Sequence, residues 1–138
     1  MKLAVDASVL LDLATDDPVH RPASQQALRQ AERLGQLIVG DVVWAETRAF
    51  FSNDAQHARF LADQGVLFEP PSAAAAARAG ALWRAHRRSH QGRHRIIADF
   101  LVGAHALLHA DALLTRDRGF YRRYFARLRV VDPSSPHA

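Results

Sequence analysis

The 138-residue sequence contains no cysteine, so it can form neither a disulfide framework nor a thiolate metal site. Its first apolar run stops at Asp6, too early for the core of a signal peptide, and no run approaches the ~20 apolar residues of a membrane span. The lack of cysteine, of a signal-peptide core and of a membrane span leads us to expect a cytoplasmic protein. Neither G-x-G-x-x-G nor G-x-x-x-x-G-K occurs, which excludes the usual dinucleotide and P-loop sites.

Lysine is almost absent as well. Lys2 is the only lysine among 18 basic residues, which stand against 14 acidic ones and give a net charge of +4 with histidine neutral. The guanidinium group of arginine binds phosphate oxygens through paired hydrogen bonds, so a basic surface dominated by arginine favours nucleic acid as a partner. A GC-rich coding bias, which exchanges lysine for arginine, explains the same count and stays an open alternative.

The composition is that of a folded domain, because 49% of the residues are hydrophobic and only 23% are charged. A chain of this length suits one domain, which buries roughly two-thirds of the surface that its unfolded chain exposes. No repeat and no Pro- or Ser-rich linker divides the sequence. We expect one domain over residues 1–133 and a frayed tail at 134–138.

Five short apolar runs, each bounded by a turn or charged residue, predict buried strands. They are KLAV before Asp6, QLIVG before Asp41, VLFE before Pro70, ALLT before Arg116 and LRVV before Asp132. Longer segments with helical spacing separate them. The alternation implies right-handed crossovers and strands covered on both faces, so the fold class is α/β: a three-layer α/β/α sandwich with a central parallel sheet.

The segment PASQQALRQAERLGQ illustrates the helical pattern between the first two strands. Its apolar stripe consists of Ala27, Leu28, Ala31 and Leu34. Gly35 follows the stripe and is typical of a helix end.

Four acidic residues lie at strand ends or in apolar helices. Asp6 follows the first strand, Glu46 lies early in the helix after the second, Asp99 begins the helix ADFLVGAHALLHA, and Asp117 follows the fourth strand by two residues. Ligands of open α/β sheets bind at the carboxyl ends of the strands. Two carboxylates ~4 Å apart repel by roughly 4 kcal/mol at an effective dielectric near 20. If the four meet, protons, arginines or a hard divalent cation must offset this repulsion, and magnesium or manganese suits the oxygen ligands best.

Each acid taken alone also has a structural explanation. Asp99 and Asp41 are typical helix N-caps, Glu46 suits a solvated helix face, and Asp117 suits a turn in which it pairs with Arg118. The remaining aspartates lack an equally apolar setting or a strand-end position, and we expect them to be structural: Asp12, Asp16, Asp17, Asp54, Asp63, Asp111 and Asp132.

The segments LAVDASVLLDL, VVWAE, IIADFLVGAHAL and ADALLTRDRGFYRRYF together resemble the PIN-domain ribonucleases, and specifically the VapC toxins of bacterial toxin–antitoxin pairs. The resemblance follows nearly the whole chain in order, and the last two segments are its most specific part. It implies a PIN-like fold and an acidic quartet that binds Mg²⁺ or Mn²⁺: Asp6, Glu46, Asp99 and Asp117. Asp6 and Asp99 would be the direct metal ligands, and Glu46 and Asp117 would support them, partly through water.

The resemblance also implies an activity and partners. RNA would be cleaved internally by a metal-activated water, leaving a 5′-phosphate and a 3′-hydroxyl. A small VapB-like antitoxin would neutralise the protein, which would form a homodimer. Ser8 and Thr115 match hydroxyl positions that border the family's pocket.

Basic and aromatic residues would hold the RNA substrate. The candidate RNA-binding arginines are Arg84, Arg87, Arg88, Arg93, Arg95, Arg116 and Arg118. Phe120, Tyr121 and Tyr124 lie among the last arginines, where exposed bases could stack on them. Phe120 and Tyr124 also have the four-residue spacing of an ordinary helical core pair.

Three other functions are alternatives to the nuclease. A zinc module would use His86, His90 and His94, or His105 and His109, but Gly92 breaks the first set and the second lies on an apolar helix. A phosphoacceptor domain needs a lysine near the phosphate, and the sole lysine lies at the wrong end of the first strand. A PIN fold that binds RNA without cleaving it is the main alternative, although that variant usually loses acids and this chain has all four.

Overall fold

The computed structural model describes residues 1–89 and 96–134. Its five strands are β1 (Lys2–Val5), β2 (Gln36–Val39), β3 (Val66–Phe68), β4 (Ala112–Leu114) and β5 (Arg129–Val131). All of their pairings are parallel, and the order across the sheet is β3-β2-β1-β4-β5. Each apolar run predicted as a strand is confirmed to within one residue.

Helices lie between and beside the strands. They are α1 (Ala7–Ala14), α2 (Arg21–Leu34), α3 (Asp41–Arg48), α4 (Asp54–Asp63), α5 (Ala73–Ser89), α6 (Ile97–His109) and α7 (Arg118–Tyr124). α2 lies over the sheet face that carries Leu3 and Leu114, whereas α6 lies over the face that carries Ala4. α5 packs along α6. The three-layer α/β/α arrangement expected from the sequence is therefore confirmed.

Burial explains the composition of the strands. The central strand β1 and its neighbours β2 and β4 are buried along nearly their whole length, so both of their faces need apolar side chains. The edge strand β3 differs, because Leu67 is 51% exposed and Phe68 is 49% exposed. The expectation that every strand is covered on both faces is wrong for β3, which has a neighbour on one side only.

Helix α2 ends where the sequence predicted, at Leu34, and the N–H of Gly35 donates to the carbonyl of Ala31 over 3.0 Å. Leu28 and Ala31 of the predicted stripe are buried. Leu34 is exposed, at the rim of a cavity that Met1 and Leu3 also line. Within the part of the chain that the structure describes, no helix combines the length and apolar character needed to cross a bilayer. Residues 135–138 of the predicted tail lie outside the described residues.

Gly103 marks the closest approach of α6 to the segment after α7. A β carbon at this position would clash with Cε2 of Phe125, whose ring is buried. Gly80, in the interior of α5, has no atom within 4 Å of the corresponding position. Both glycines have a helical backbone, so they differ in the atoms that surround their β-carbon positions.

We expect Gly103→Ala to destabilise the fold by about 1–3 kcal/mol, because the added methyl group overpacks the contact with Phe125. Gly80→Ala should instead stabilise it by up to about 1 kcal/mol, since alanine is the better helix former. Urea unfolding followed by circular dichroism measures both changes. A gain in stability for both variants would contradict the close packing of Gly103 against Phe125.

Candidate active site

The candidate site lies where the strand order of the sheet changes direction. From β1 the chain builds β2 and β3 on one side and then β4 and β5 on the other, so the carboxyl ends of β1 and β4 meet in the middle. The N–H of Asp6 donates to the carbonyl of Leu114 over 2.9 Å, which continues the ladder past the end of β1. Open α/β sheets bind ligands at such a switch point.

Hydrogen bonds hold the Asp6 carboxylate in one orientation. Oδ1 accepts from the N–H of Ala7 at 2.8 Å, and Oδ2 accepts from the hydroxyls of Thr115 at 2.7 Å and Ser8 at 3.3 Å. The two residues predicted as pocket hydroxyls thus both contact this acid. Burial raises the pKa of Asp6 although these donors oppose the increase, and the charge of Asp117 raises it further.

Thr115 also connects Asp6 to Asp117. Its hydroxyl oxygen accepts from the N–H of Asp117 at 3.0 Å while the hydroxyl donates to Asp6. Asp117 occupies the N-cap position of α7 but its side chain makes no capping hydrogen bond there. Capping therefore does not explain why an aspartate stands at this position.

Glu46 and Asp99 approach the same place from two helices. Glu46 lies in the second turn of α3, later in the helix than expected, and Asp99 lies in the first turn of α6. The N-cap residues of these helices are Gly40 and Ile96, so the capping explanation for Asp99 and Asp41 is wrong. Desolvation raises the pKa of Glu46, although it lies at the exposed rim, and the charges of Asp6 and Asp99 raise it further.

One further side chain is influenced by all four carboxylates. Tyr121 of α7 is only 2% exposed. Burial raises the pKa of its phenol, and so do the negative charges of Asp6, Asp99, Asp117 and Glu46. The structure thus brings the four acids to one cleft. From the sequence, Tyr121 was expected only as an aromatic near arginines. Its position four residues after Asp117 was the signal that places both on the same side of α7.

The donor set of the cleft is chemically suited to Mg²⁺. It consists of carboxylate and hydroxyl oxygens, which hard divalent cations prefer. Among residues 1–89 and 96–134, no three carboxylates or imidazoles are arranged as ligands of one ion. Mg²⁺ usually binds through one or two carboxylates and keeps several waters. The residues present therefore fit a largely hydrated ion.

Comparison with known proteins places this geometry in a family. The model of the PIN domain matches residues 3–126, a range that includes all four acids. The chain belongs to the PIN-domain family. None of the curated proteins compared with it matches.

Several solved structures are similar to this PIN domain over nearly its whole length. VapBC2 from Rickettsia felis, bound to a DNA fragment from its promoter, matches with a TM-score of 0.72 and 17% identity, over 96% of this chain and 98% of that one. A toxin–antitoxin complex from Klebsiella pneumoniae matches with a TM-score of 0.66 and 25% identity, over 95% and 97%. FitAcB from Neisseria gonorrhoeae matches with a TM-score of 0.65 and 20% identity, over 99% of each chain. The PIN-like fold predicted from the sequence is confirmed.

Two arginines beside the cleft of the PIN domain are bound to internal carboxylates. Arg116 donates from Nε and Nη2 to the two oxygens of Asp12 at 2.8 and 2.9 Å. Asp12 is only 3% exposed and also accepts from the Ser24 hydroxyl at 2.6 Å. Arg118 lies 3.5 Å from the buried Asp132. These pairs fix the connection between β4 and α7, so both arginines have structural contacts besides any contact with RNA.

Asp12 was expected to be structural, and its contacts agree with that expectation. It belongs to α1 and is buried where α1 packs against α2. Its charge is tolerated there because the Arg116 fork and the Ser24 hydroxyl bind both of its oxygens.

The other arginines predicted to bind RNA lie toward the end of α5. Arg84, Arg87 and Arg88 are exposed, and the Arg87 guanidinium lies 4.9 Å from the centre of the Trp83 ring. Arg93 and Arg95 lie outside the described residues. The exposed group is therefore available to a partner in solution.

The histidines that suggested a zinc module contact other groups. Nδ1 of His86 lies 2.6 Å from the Tyr124 hydroxyl, which connects α5 to α7. Nε2 of His105 lies 2.7 Å from the Glu69 carbonyl, and Nδ1 of His109 lies 3.1 Å from the Glu69 carboxylate. Burial lowers the pKa of His105. His90 and His94 lie outside the described residues.

Aromatic residues of α7 divide between core and cleft. Phe120 is buried against Phe100, with ring centres 5.1 Å apart, and Tyr124 packs on the same ring at 5.3 Å. The core interpretation of the Phe120 and Tyr124 spacing is thus confirmed.

We expect Asp12→Ala to cost about 3 kcal/mol of unfolding free energy, because it leaves the Arg116 guanidinium without its partner beside the core. Asp54→Ala is the matched control, since it also removes an aspartate from an arginine pair, with Arg48 at 2.6 Å, but at a side chain that is 96% exposed. The control should lose much less stability. Urea unfolding compares the two, and equal losses would contradict a structural role for the buried pair.

Proposed function

We propose that the chain is a Mg²⁺-dependent endoribonuclease toxin of a toxin–antitoxin system, which hydrolyses RNA phosphodiester bonds with a metal-activated water. The observation that carries the proposal is the arrangement of the acids at the switch point of the sheet, where Thr115 bridges Asp6 and Asp117 and the helices α3 and α6 bring in Glu46 and Asp99. Membership of the PIN-domain family and similarity to chains of toxin–antitoxin complexes support it.

The charge of the cleft supports a divalent cation. Besides desolvation, the charge of Asp117 raises the pKa of Asp6, and the charges of Asp6 and Asp99 raise the pKa of Glu46, so these groups repel when ionised. Asp6 and Asp99 would hold the ion, and Glu46 and Asp117 would bind its waters. When bound, Mg²⁺ lowers the pKa of a water and stabilises charge on the scissile phosphate. Mn²⁺ suits the same oxygen donors.

The chain's own residues orient these groups. The hydroxyls of Ser8 and Thr115 and the N–H of Ala7 fix both oxygens of Asp6, so its carboxylate cannot rotate freely. Thr115 and the Arg116–Asp12 pair fix the backbone that leads into Asp117. Preorganised ligands of this kind need no rearrangement when substrate arrives.

The basic end of α5 supports RNA as the substrate. His86 connects this end to α7 through Tyr124, and its ring packs against Phe100, the neighbour of Asp99, at 5.6 Å. The exposed Arg84, Arg87 and Arg88 therefore flank the helices that carry two of the four acids. Guanidinium groups placed there would bind the phosphates of an RNA strand that enters the cleft.

The similar structures support an antitoxin as a partner. These include VapBC from Salmonella typhimurium bound to DNA and FitAB bound to a DNA fragment. We infer that this chain likewise pairs with a small VapB-like antitoxin and forms a homodimer, and that it acts in the cytoplasm, where RNA is its substrate.

A PIN fold that binds RNA without cleaving it is the second candidate. One observation favours it: in the described ranges 1–89 and 96–134, no three potential ligands are arranged around one ion. The two candidates differ in a measurable way, because only the nuclease requires both the metal and the acids for turnover.

We expect the purified protein to cleave RNA with Mg²⁺ and to stop when EDTA is added, leaving 5′-phosphate ends. Asp99→Asn should lower kcat/KM by about a hundredfold or more, because it removes a metal ligand. Asp63→Asn, at the exposed end of α4, is the control and should keep full activity. Cleavage that survives EDTA or Asp99→Asn would refute the mechanism.

We also expect Glu46→Gln to raise the melting temperature in EDTA at pH 7, because it removes repulsion from Asp6 and Asp99. The folded-state pKa of Glu46 is raised, so the gain is present above that pKa and disappears below the ordinary value of 4.5, where both states are protonated. Added Mg²⁺ should stabilise the wild type more than this variant. Glu32→Gln on the exposed face of α2 is the control, and an equal response of all three proteins to Mg²⁺ would contradict the metal site.

A further inference from the structure

Tyr121 has its ring in the core, and its hydroxyl has no hydrogen-bond partner among the residues that the structure describes. The ring centre lies 5.0 Å from that of Phe120 and 6.2 Å from that of Phe125, both buried. The residue stands one turn after Asp117, and its N–H lies 3.5 Å from the Asp117 carbonyl. The ring is therefore held on the side of α7 that faces the acidic cleft.

The hydroxyl of Tyr121 keeps a small contact with solvent, although the residue as a whole is only 2% exposed. Within residues 1–89 and 96–134 it makes no hydrogen bond to another group, yet no fully buried side-chain nitrogen or oxygen there lacks a partner. Both facts hold only if the oxygen touches solvent. Tyr121 stands one helical turn after Asp117 and so lies on the same side of α7, which places this solvent in the cleft; the effect of the four carboxylate charges on the phenol's pKa agrees with that position.

The neighbouring tyrosine shows a different arrangement. The hydroxyl of Tyr124 lies 2.6 Å from Nδ1 of His86, so it serves a contact between helices. Two tyrosines of one short helix therefore differ in a single respect: the hydroxyl of Tyr124 is engaged by the fold, and that of Tyr121 is available to a ligand.

The cleft lacks other uncommitted hydroxyl donors among the residues already placed in it. The hydroxyls of Ser8 and Thr115 both donate to Asp6. The carboxylates accept hydrogen bonds and cannot donate them when ionised. A phosphodiester is also an acceptor, so it needs a donor, and the phenol of Tyr121 is such a donor at neutral pH.

The geometry points to Tyr121 as a substrate-contacting residue, whose hydroxyl donates a hydrogen bond to a non-bridging oxygen of the RNA phosphate at the cleavage site. This inference rests on the proposed function and names the phosphate as the group that Tyr121 recognises. The contact would orient the phosphate over the carboxylates without adding a charge to the cleft.

The test compares Tyr121→Phe with Tyr124→Phe, because each variant keeps its ring and loses one hydroxyl. Tyr121→Phe should lower kcat/KM for RNA cleavage by about tenfold to a hundredfold, the range for a hydrogen bond to a charged group. It should bind Mg²⁺ with unchanged affinity. Tyr124→Phe should keep the wild-type kcat/KM but unfold at a lower temperature. The same kcat/KM for Tyr121→Phe and the wild type would overturn the inference, and so would an equal loss in both variants.

Phosphorothioate RNA identifies the atom that is contacted. Sulfur accepts hydrogen bonds poorly. Replacing the contacted oxygen with sulfur should therefore lower kcat/KM of the wild type and abolish most of the difference in kcat/KM between the wild type and Tyr121→Phe. Replacing the other non-bridging oxygen should leave that difference intact. If the sulfur substitution and Tyr121→Phe lower kcat/KM independently for both phosphorothioate diastereomers, the hydroxyl does not contact the phosphate.

A binding measurement separates this inference from the proposed function. RNA affinity is measured by fluorescence anisotropy with Ca²⁺ in place of Mg²⁺, without any requirement for turnover. If the wild type fails to cleave RNA but Tyr121→Phe binds it several times more weakly than Tyr124→Phe, the nuclease proposal fails and the phosphate contact stands. If the wild type cleaves RNA and the two variants match it in both assays, only the contact fails. If the wild type neither binds nor cleaves RNA, both fail.

Discussion

The parallel pairing of β1 with β4 is the constraint on which the rest of the site depends. Val5 is paired with Leu114, so the residues that follow each strand emerge side by side. The Thr115 hydroxyl then reaches Asp6 across 109 positions of sequence. A shift of one residue in this register would turn the side chains of β4 to the opposite face and separate Thr115 from Asp6.

The acidic cleft is stabilised by contacts made just outside it. Carboxylates brought together in a partly buried cleft repel one another, and the segment that carries Asp117 must be held against that repulsion. Thr115 holds it on one side through its hydroxyl, and Arg116 holds it on the other through a two-point pair with the buried Asp12. The connection between β4 and α7 thus contains both Asp117, an acid of the cleft, and Arg116, which stabilises the fold.

Local sequence was sufficient for most of the fold because burial leaves a strong local signal. A strand covered on both faces needs an unbroken apolar run, and all five runs became strands. This local signal was misleading where residue type and burial disagree. Leu67 and Phe68 belong to an apolar run but lie on an edge strand, and Asp12 is charged but lies in the core, paired across 104 positions of sequence.

The sequence by itself determined the order of strands and helices, the position of each acid at a strand end or in a helix, and the oxygen chemistry of a candidate metal site. It could not determine that Glu46 and Asp99 reach Asp6, that Arg116 turns inward to Asp12, or that Tyr121 extends its hydroxyl into the cleft. Those relations depend on strand order and on how helices from distant parts of the chain pack together, and hydrophobic periodicity describes only neighbours along the chain.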